Sequence, residues 1–158
     1  MQDEFFALAD GLTRELRGDE IFTCWFSGEQ SDFVRFNHAK VRQAGNALQR
    51  TLTLRLIHNG RQAKSELSLS GGSDDRALAK HALNELRGVV ADLPVDPYLL
   101  YATDVNSSET KRRGVTPESA AIVEQIVDEA QGLDLVGIYA AGPLFRGFAN
   151  SFGQRNWH

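Results

Sequence analysis

The 158-residue sequence has almost no cysteine: its single thiol, Cys24, excludes an internal disulfide. Sparse cysteine is typical of a reducing compartment. Cys24 lies in the apolar run IFTCWF, a setting that indicates a buried structural thiol rather than a nucleophile.

The sequence also lacks a surplus of positive charge and any long uncharged apolar run. A formal net charge of -4 argues against direct nucleic-acid binding as the main role. No stretch reaches membrane-spanning length, and the start MQDEFFALADGLTRELRG has acids where an export signal needs cations. We therefore expect a cytoplasmic protein with no membrane partner.

Motifs for self-contained chemistry are missing as well. The four histidines, His38, His58, His81 and His158, do not have the spacing of zinc ligands, and there is no second cysteine. Neither a Walker loop nor a Gly-x-Ser-x-Gly elbow occurs. We predict no catalytic residue, no metal ligand and no cofactor in this chain.

Three segments have helical patterns. Residues 2–17 repeat apolar side chains at spacings of three and four and end before Gly18. A second helix is predicted from Ser73 or Asp74 to about Val90, with Leu78, Ala82, Leu86 and Val89 or Val90 buried. A third is predicted from a Thr116 cap, with Pro117 at the first helical position, up to Gly132.

The remaining ordered segments read as strands. A strand is predicted through IFTCWF to Gly28, then a strand pair within residues 31–45, then a hairpin of 48–58 with 61–70 around Asn59-Gly60. Residues 93–115 form a long loop, and DLVGIYAAG and LFRGFANSFGQRNWH give two last strands. The order predicts an α+β fold with a mainly antiparallel sheet and about three helices.

The stretch SDFVRFNHAKVRQAG, residues 31–45, mixes apolar residues with cations and amides. In a strand, Phe33, Arg35 and Asn37 face one side, and Val34, Phe36 and His38 face the other. One interpretation is a half-buried strand pair with a polar outer face. The other is a basic and aromatic surface for single-stranded nucleic acid. Spacing alone leaves both interpretations open.

Three segments together resemble the N-terminal region of the TldD/PmbA family, whose members are called modulators of DNA gyrase and are candidate zinc-dependent peptidases. The resemblance is carried by SDFVRFNHAKVRQAG, TLTLRLIHNGRQAKSELSLSG and DLVGIYAAGPLFRGFANSFGQRNWH. It implies that residues 1–158 are a single N-terminal domain of a longer protein that continues after His158. In the TldD-like branch zinc is held by a His-Glu-x-x-x-His helix, which these residues lack; the PmbA-like branch lacks that helix and acts as partner in a heterodimer.

The resemblance implies a non-catalytic domain that helps to enclose or position a peptide or unfolded protein substrate, paired with a homo- or heterodimer partner of the same family. Zinc is expected only in the missing C-terminal half. The alternative is a regulatory or oligomer-assembly module without a peptidase role. The candidate substrate-binding residues are Arg35, Asn37, Arg42, Gln43, Asn150 and Ser151. For Asn150 and Ser151, a turn that satisfies its own backbone is an equal alternative.

Overall fold

The structure, a computed structural model, describes residues 1–112, 114–115 and 117–158. These residues form three helices and seven strands that are mostly antiparallel, which confirms the predicted α+β class. The helices are α1 (Gln2–Glu15), α2 (Asp75–Val90) and α3 (Ser119–Glu129). The strands are β1 (Ile21–Asn37), β2 (Lys40–His58), β3 (Arg61–Ser68), β4 (Ser108–Glu109), β5 (Gly137–Ala141), β6 (Leu144–Asn150) and β7 (Arg155–Trp157).

The described residues divide into two compact units. The first unit comprises Met1–Gly28, Arg50–Lys111 and Phe145–His158, and the second comprises Glu29–Gln49 and Arg112–Leu144. The chain passes from one unit to the other within β1 and again within β2. Each unit therefore contains about half of the two longest strands.

In the first unit the strands lie in the order β3, β2, β1, β6, β7, β4. Alternate residues of β1 and β2 are buried in one core with apolar residues of α1 and α2, as the period of two in TLTLRLI predicts. The core includes Phe5, Leu8, Leu12, Phe22, Cys24, Phe26, Leu52, Leu54, Leu56, Leu83 and Trp157. Antiparallel pairing of Thr51–His58 with Arg61–Ser68 confirms the predicted hairpin, and Asn59 and Gly60 both have positive φ in its turn.

The predicted strand end at Gly28 is wrong, because β1 continues without interruption to Asn37. A Cβ on Gly28 would lie 2.9 Å from the Phe26 ring. Gly28 therefore makes room for an aromatic ring within a strand and does not end the strand. Gly45 in β2 makes room for Phe33 in the same way, because a Cβ on Gly45 would lie 2.9 Å from the Phe33 ring.

Two helical predictions are corrected in detail. Leu78 is 39% exposed, because the buried stripe of α2 runs along its neighbours Ala79, Leu83, Leu86 and Val90. Helix α3 begins at Ser119 and not at Pro117, because the backbone of Glu118 is extended. The predicted cap Thr116 lies outside the described residues.

The segment LFRGFANSFGQRNWH is a hairpin and not the single strand predicted. Strands β6 and β7 pair antiparallel from Gly147 with Trp157 to Ala149 with Arg155. The Asn150 side chain causes the reversal, because its Oδ1 accepts hydrogen bonds from the backbone N–H groups of Phe152 and Gln154, both at 3.0 Å.

Candidate functional site

Four of the six predicted site residues lie on one β-hairpin in the second unit. Arg35 and Asn37 are at the end of β1, and Arg42 and Gln43 are at the start of β2. His38 and Ala39 form the turn between them, with φ values of 50° and 52°. The two strands thus meet through a tight two-residue turn, and all four candidate side chains are exposed.

The two faces of β1 differ as alternation predicts. Val34 and Phe36 are buried, whereas Arg35 and Asn37 are exposed. On the far side of β1, strand β5 pairs antiparallel and places Ile138, 73% exposed, opposite Arg35. The hairpin therefore presents an open face on which a cation and an aliphatic side chain are neighbours. His38 is an exception to the alternation: it is exposed in the turn, and its Nδ1 lies 2.7 Å from Asp134 Oδ1.

One edge of this hairpin is open. Strand β3 pairs with β2 only from Thr51 onward, and the Leu69 N–H extends the contact to the Arg50 carbonyl. Among the described residues, 40–49 of β2 are paired on the β1 side alone. In an antiparallel edge strand, alternate residues point their N–H and C=O groups outward. About half of these ten residues therefore offer a main-chain donor and acceptor at the open edge.

The edge segment is positively charged. Residues 40–49, KVRQAGNALQ, contain Lys40 and Arg42 and no acid. Within the described part of the chain, neither of these cations nor Arg35 forms an ion pair. A chain with a net charge of -4 therefore carries a local cluster of three cations on this hairpin.

A groove of about 430 Å³ lies within the second unit, beside the same hairpin. Its apolar wall is formed by Val34, Val41, Ala44 and Val123. Its polar end is built around Asp32, which accepts hydrogen bonds from Asn46 Nδ2 at 2.6 Å and Ser119 Oγ at 3.0 Å.

This arrangement fixes the first turn of α3 against the hairpin and leaves a groove suited to a small apolar side chain. The residues predicted from the sequence did not include Asp32, Asn46, Ser119 and Lys40. Only Lys40 had a local signal, because it directly follows a turn and precedes an alternating run.

The other two predicted residues, Asn150 and Ser151, belong to the first unit. Asn150 is 4% exposed and its side chain holds the β6–β7 turn, as described above. The Ser151 N–H donates to the Phe22 carbonyl at 3.1 Å. The Asn150 side chain thus satisfies the backbone of its own turn, whereas the Ser151 hydroxyl is buried without a hydrogen-bond partner among the described residues. A role of either residue in binding stays a prediction.

The described residues contain neither a metal-binding cluster of side chains nor a membrane-spanning helix. No group of three or more histidine, cysteine, aspartate or glutamate side chains in 1–112, 114–115 and 117–158 is placed to hold a metal ion. In the same residues, no helix has both the length and the apolar character needed to cross a membrane.

Comparison with known proteins gives matches at the level of structure. No family model and no curated protein matches the sequence. The chain is similar in fold to TldE from Thermococcus kodakarensis, with 17% identity and a TM-score of 0.61 over 97% of this chain and 36% of that one. It is also similar to a proposed modulator of a DNA gyrase from Thermotoga maritima, with 11% identity and a TM-score of 0.59 over 99% of this chain and 36% of that one.

The resemblance to the TldD/PmbA family is thereby confirmed at the level of the fold. The chain spans about 36% of the length of each of these two solved structures.

Proposed function

We propose that this chain is the N-terminal domain of a TldD/PmbA-type protein, and that it positions a peptide in extended conformation along residues 40–49 of β2. The domain supplies no catalytic residue. It holds the peptide main chain, while the chemistry belongs to a partner or to another part of a longer protein. We further propose that the substrate is a peptide and that the partner is a protein of the same family. Any zinc would be bound outside these residues, and the protein would be cytoplasmic.

The observation that carries the proposal is the open edge of β2. An extended peptide that pairs with this row of N–H and C=O groups gains main-chain hydrogen bonds whatever its sequence. The fold likeness to TldE supports the family, and the open edge supports the mode of binding.

The side chains around the open edge give this binding mode a preference for certain peptide side chains. Arg35, Lys40 and Arg42 favour acidic side chains in the peptide, because no acid in the described chain neutralises them. The groove lined by Val41 and Val123 accepts an apolar side chain. Since alternate side chains of a strand point to opposite faces, an acidic–apolar alternating peptide fits best.

The test uses a fluorescein-labelled peptide that alternates glutamate and valine, titrated with the protein and followed by fluorescence anisotropy. The matched control peptide has the same side chains but N-methyl groups on alternate amides, which removes strand pairing. We expect the control to bind at least about tenfold more weakly, a loss of about 1.4 kcal/mol that corresponds to one or two hydrogen bonds.

Protein variants separate the contribution of the cations to peptide binding from that of main-chain strand pairing. The double variant Lys40→Gln with Arg42→Gln is expected to bind about fivefold more weakly, in line with about 1 kcal/mol for exposed charge pairs, and to show a weaker salt dependence, because Arg35 remains. Arg14→Gln, an exposed cation on α1, is the control and should bind like the wild type. Equal binding of the two peptides would refute strand pairing. Concentration-dependent self-association without peptide binding would support the oligomer-assembly alternative instead.

A further inference from the structure

A second cavity, independent of the proposed peptide edge, lies entirely in the first unit. It has a volume of about 390 Å³ and opens between the start of α1, Arg50 of β2 and the loop from Leu69 to Arg76. This volume is within the ordinary range of small-molecule sites, about 300–1,000 Å³.

The cavity has an apolar side and a charged side. The apolar side consists of Phe5, Leu8 and Phe26, each less than 5% exposed, together with Leu69. The charged side contains Arg50 and Arg76. A ligand that fits both sides has an apolar body and a polar group at one end.

The Arg50 guanidinium lies in space that Gly71 leaves open. A Cβ on Gly71 would lie 1.3 Å from Arg50 Nη1, so the guanidinium occupies the space that any other residue would fill. Gly71 also has a φ of +82°, which favours glycine. Arg50 Nε is buried and has no hydrogen-bond acceptor among the described residues. Arg50 therefore has donor capacity that no described residue uses.

The cavity contains two acids, Asp75 and Glu4, which differ in how well their carboxylates are hydrogen-bonded. Asp75 accepts hydrogen bonds from Ser70 N–H, Ser70 Oγ and Gly71 N–H at 2.7–2.9 Å. Although burial raises its pKa, these hydrogen bonds and the charge of Arg50 hold the pKa of Asp75 below its usual value. Its hydrogen bonds thus come from its own loop, and the charge of Arg50 adds to them.

The second acid, Glu4, makes only a loose contact with Arg50. Its carboxylate lies 3.6 Å from Arg50 Nη1, and its side chain is 58% exposed. That contact is too long for a good hydrogen bond. Arg76 is exposed and forms no ion pair with any described residue. An incoming anion can replace Glu4 at Arg50 without disturbing Asp75.

We propose that this cavity binds an apolar carboxylate, with the carboxylate on Arg50 and the apolar body against Phe5, Leu8, Phe26 and Leu69. Two sources share this chemistry: the C-terminus of a peptide that ends in an apolar residue, and a medium-chain fatty acid. A carboxylate on a guanidinium forms charge-assisted hydrogen bonds, which are stronger than those of a neutral amide. Glu4 competes for the same guanidinium.

The test is an NMR titration of the ¹⁵N-labelled chain with N-acetyl-leucine, with N-acetyl-leucinamide as the neutral control and octanoate as the fatty-acid arm. We expect the acids to shift the amide signals of Leu69, Gly71 and Gly72, and the amide to bind at least about tenfold more weakly. Tighter binding of octanoate than of N-acetyl-leucine identifies a fatty acid as the source, and the reverse identifies a peptide C-terminus.

Two variants test the contact between the ligand carboxylate and Arg50. One removes the guanidinium, and the other removes the carboxylate that competes for it. Arg50→Gln is expected to lose about tenfold in affinity for N-acetyl-leucine. Glu4→Gln removes the competing carboxylate at an exposed position and is expected to bind N-acetyl-leucine about threefold more tightly. Lys64→Gln, an exposed cation of β3, is the control and should bind like the wild type. Weaker binding by Glu4→Gln, equal binding of acid and amide, or no binding of either would overturn the proposal.

Discussion

At the scale of the residue, Cys24 illustrates how burial controls chemistry. The thiol is fully buried in the core of the first unit, and burial raises its pKa to about 12 although a backbone hydrogen bond at Ala149 opposes the shift. A thiolate is the reactive form of cysteine, so this thiol is inert while the chain is folded. The sequence analysis predicted a buried structural thiol from the run IFTCWF, and the burial is confirmed.

The pKa of Cys24 gives a prediction about stability at high pH. The unfolded thiol loses its proton near pH 9, whereas the folded thiol keeps it to about pH 12. Between these values the unfolded state binds fewer protons, so the free energy of unfolding falls as pH rises, by up to about 1.4 kcal/mol per pH unit from this group. Below pH 9 the contribution is fully present.

The measurement is urea unfolding at about pH 8, 9 and 10, for the wild type and for Cys24→Ala. The variant is less stable throughout, because it leaves a small cavity, but its stability should fall less steeply above about pH 9. Identical slopes in the two proteins would show that the thiol titrates normally. A thiol reagent should label the wild type only as it unfolds.

At the scale of the element, one largely buried ion pair joins the end of α2 to Glu20, the residue before β1. Arg87 donates to both carboxylate oxygens of Glu20, from Nε at 2.7 Å and from Nη2 at 2.8 Å. Burial raises the pKa of Glu20, but the Arg87 hydrogen bonds, the Arg17 N–H and the charge of Arg87 lower it below its usual value. Nothing in the spacing of residues 20 and 87 predicts this contact, because it joins two elements distant in sequence.

We expect Arg87→Met to lower the free energy of unfolding at pH 7 by about 3 kcal/mol, because it leaves a buried carboxylate without its partner. Lys80→Met, which breaks the exposed pair of Lys80 with Glu15, is the control and should cost far less. Urea unfolding of both variants provides the comparison. Similar losses of stability in Arg87→Met and Lys80→Met would show that burial of the Arg87–Glu20 pair does not increase its contribution.

The same pair predicts acid sensitivity with a defined sign. The folded pKa of Glu20 is below the ordinary value of 4.5, so its contribution is present above pH 4.5 and is lost as pH falls toward the folded pKa. In Arg87→Met the carboxylate is buried without its cation, so this loss on acidification should disappear.

Which strand edge stays unpaired also depends on how whole elements pair with one another. The turn at Asn59-Gly60 and the alternation of β2 were predictable, because both depend on neighbouring residues. The joining of the later half of residues 31–45 with 48–58 into one continuous β2 was not predicted. Because β3 pairs with β2 only from Thr51 onward, residues 40–49 stay open. The four hairpin residues of the candidate site were proposed from their local stretch and the family resemblance, and their role in binding stays a prediction. That proposal did not include Lys40 or the polar end of the groove.

At the scale of the whole molecule, the two units differ in how much they bury. Helices α1 and α2 of the first unit contribute most of the helical core residues, including Phe5, Leu12 and Leu83. In the second unit, α3 has no buried residue, although Ile122 and Ile126 are half-buried as its predicted apolar face requires. Elements with little buried apolar surface open at lower free energy.

We expect hydrogen exchange to reflect this difference. Amide protons of Ile122 to Val127 in α3 should exchange about a hundredfold faster than those of Leu83 to Arg87 in α2, measured by NMR at neutral pH. The matched comparison within one sample removes effects of temperature and concentration. Equal protection of the two helices would show that α3 is stabilised by contacts beyond those described.

The sequence by itself determined the α+β class, the three helices, the Asn59-Gly60 hairpin and the buried state of Cys24, because each follows from local periodicity, turn chemistry or composition. Only the tertiary structure decided where β1 continues past Gly28, which edge of β2 stays open, and how Arg50 comes to lie on Gly71. These features depend on side chains that meet from distant parts of the chain, and the free energy of such contacts leaves no periodic signal in the sequence.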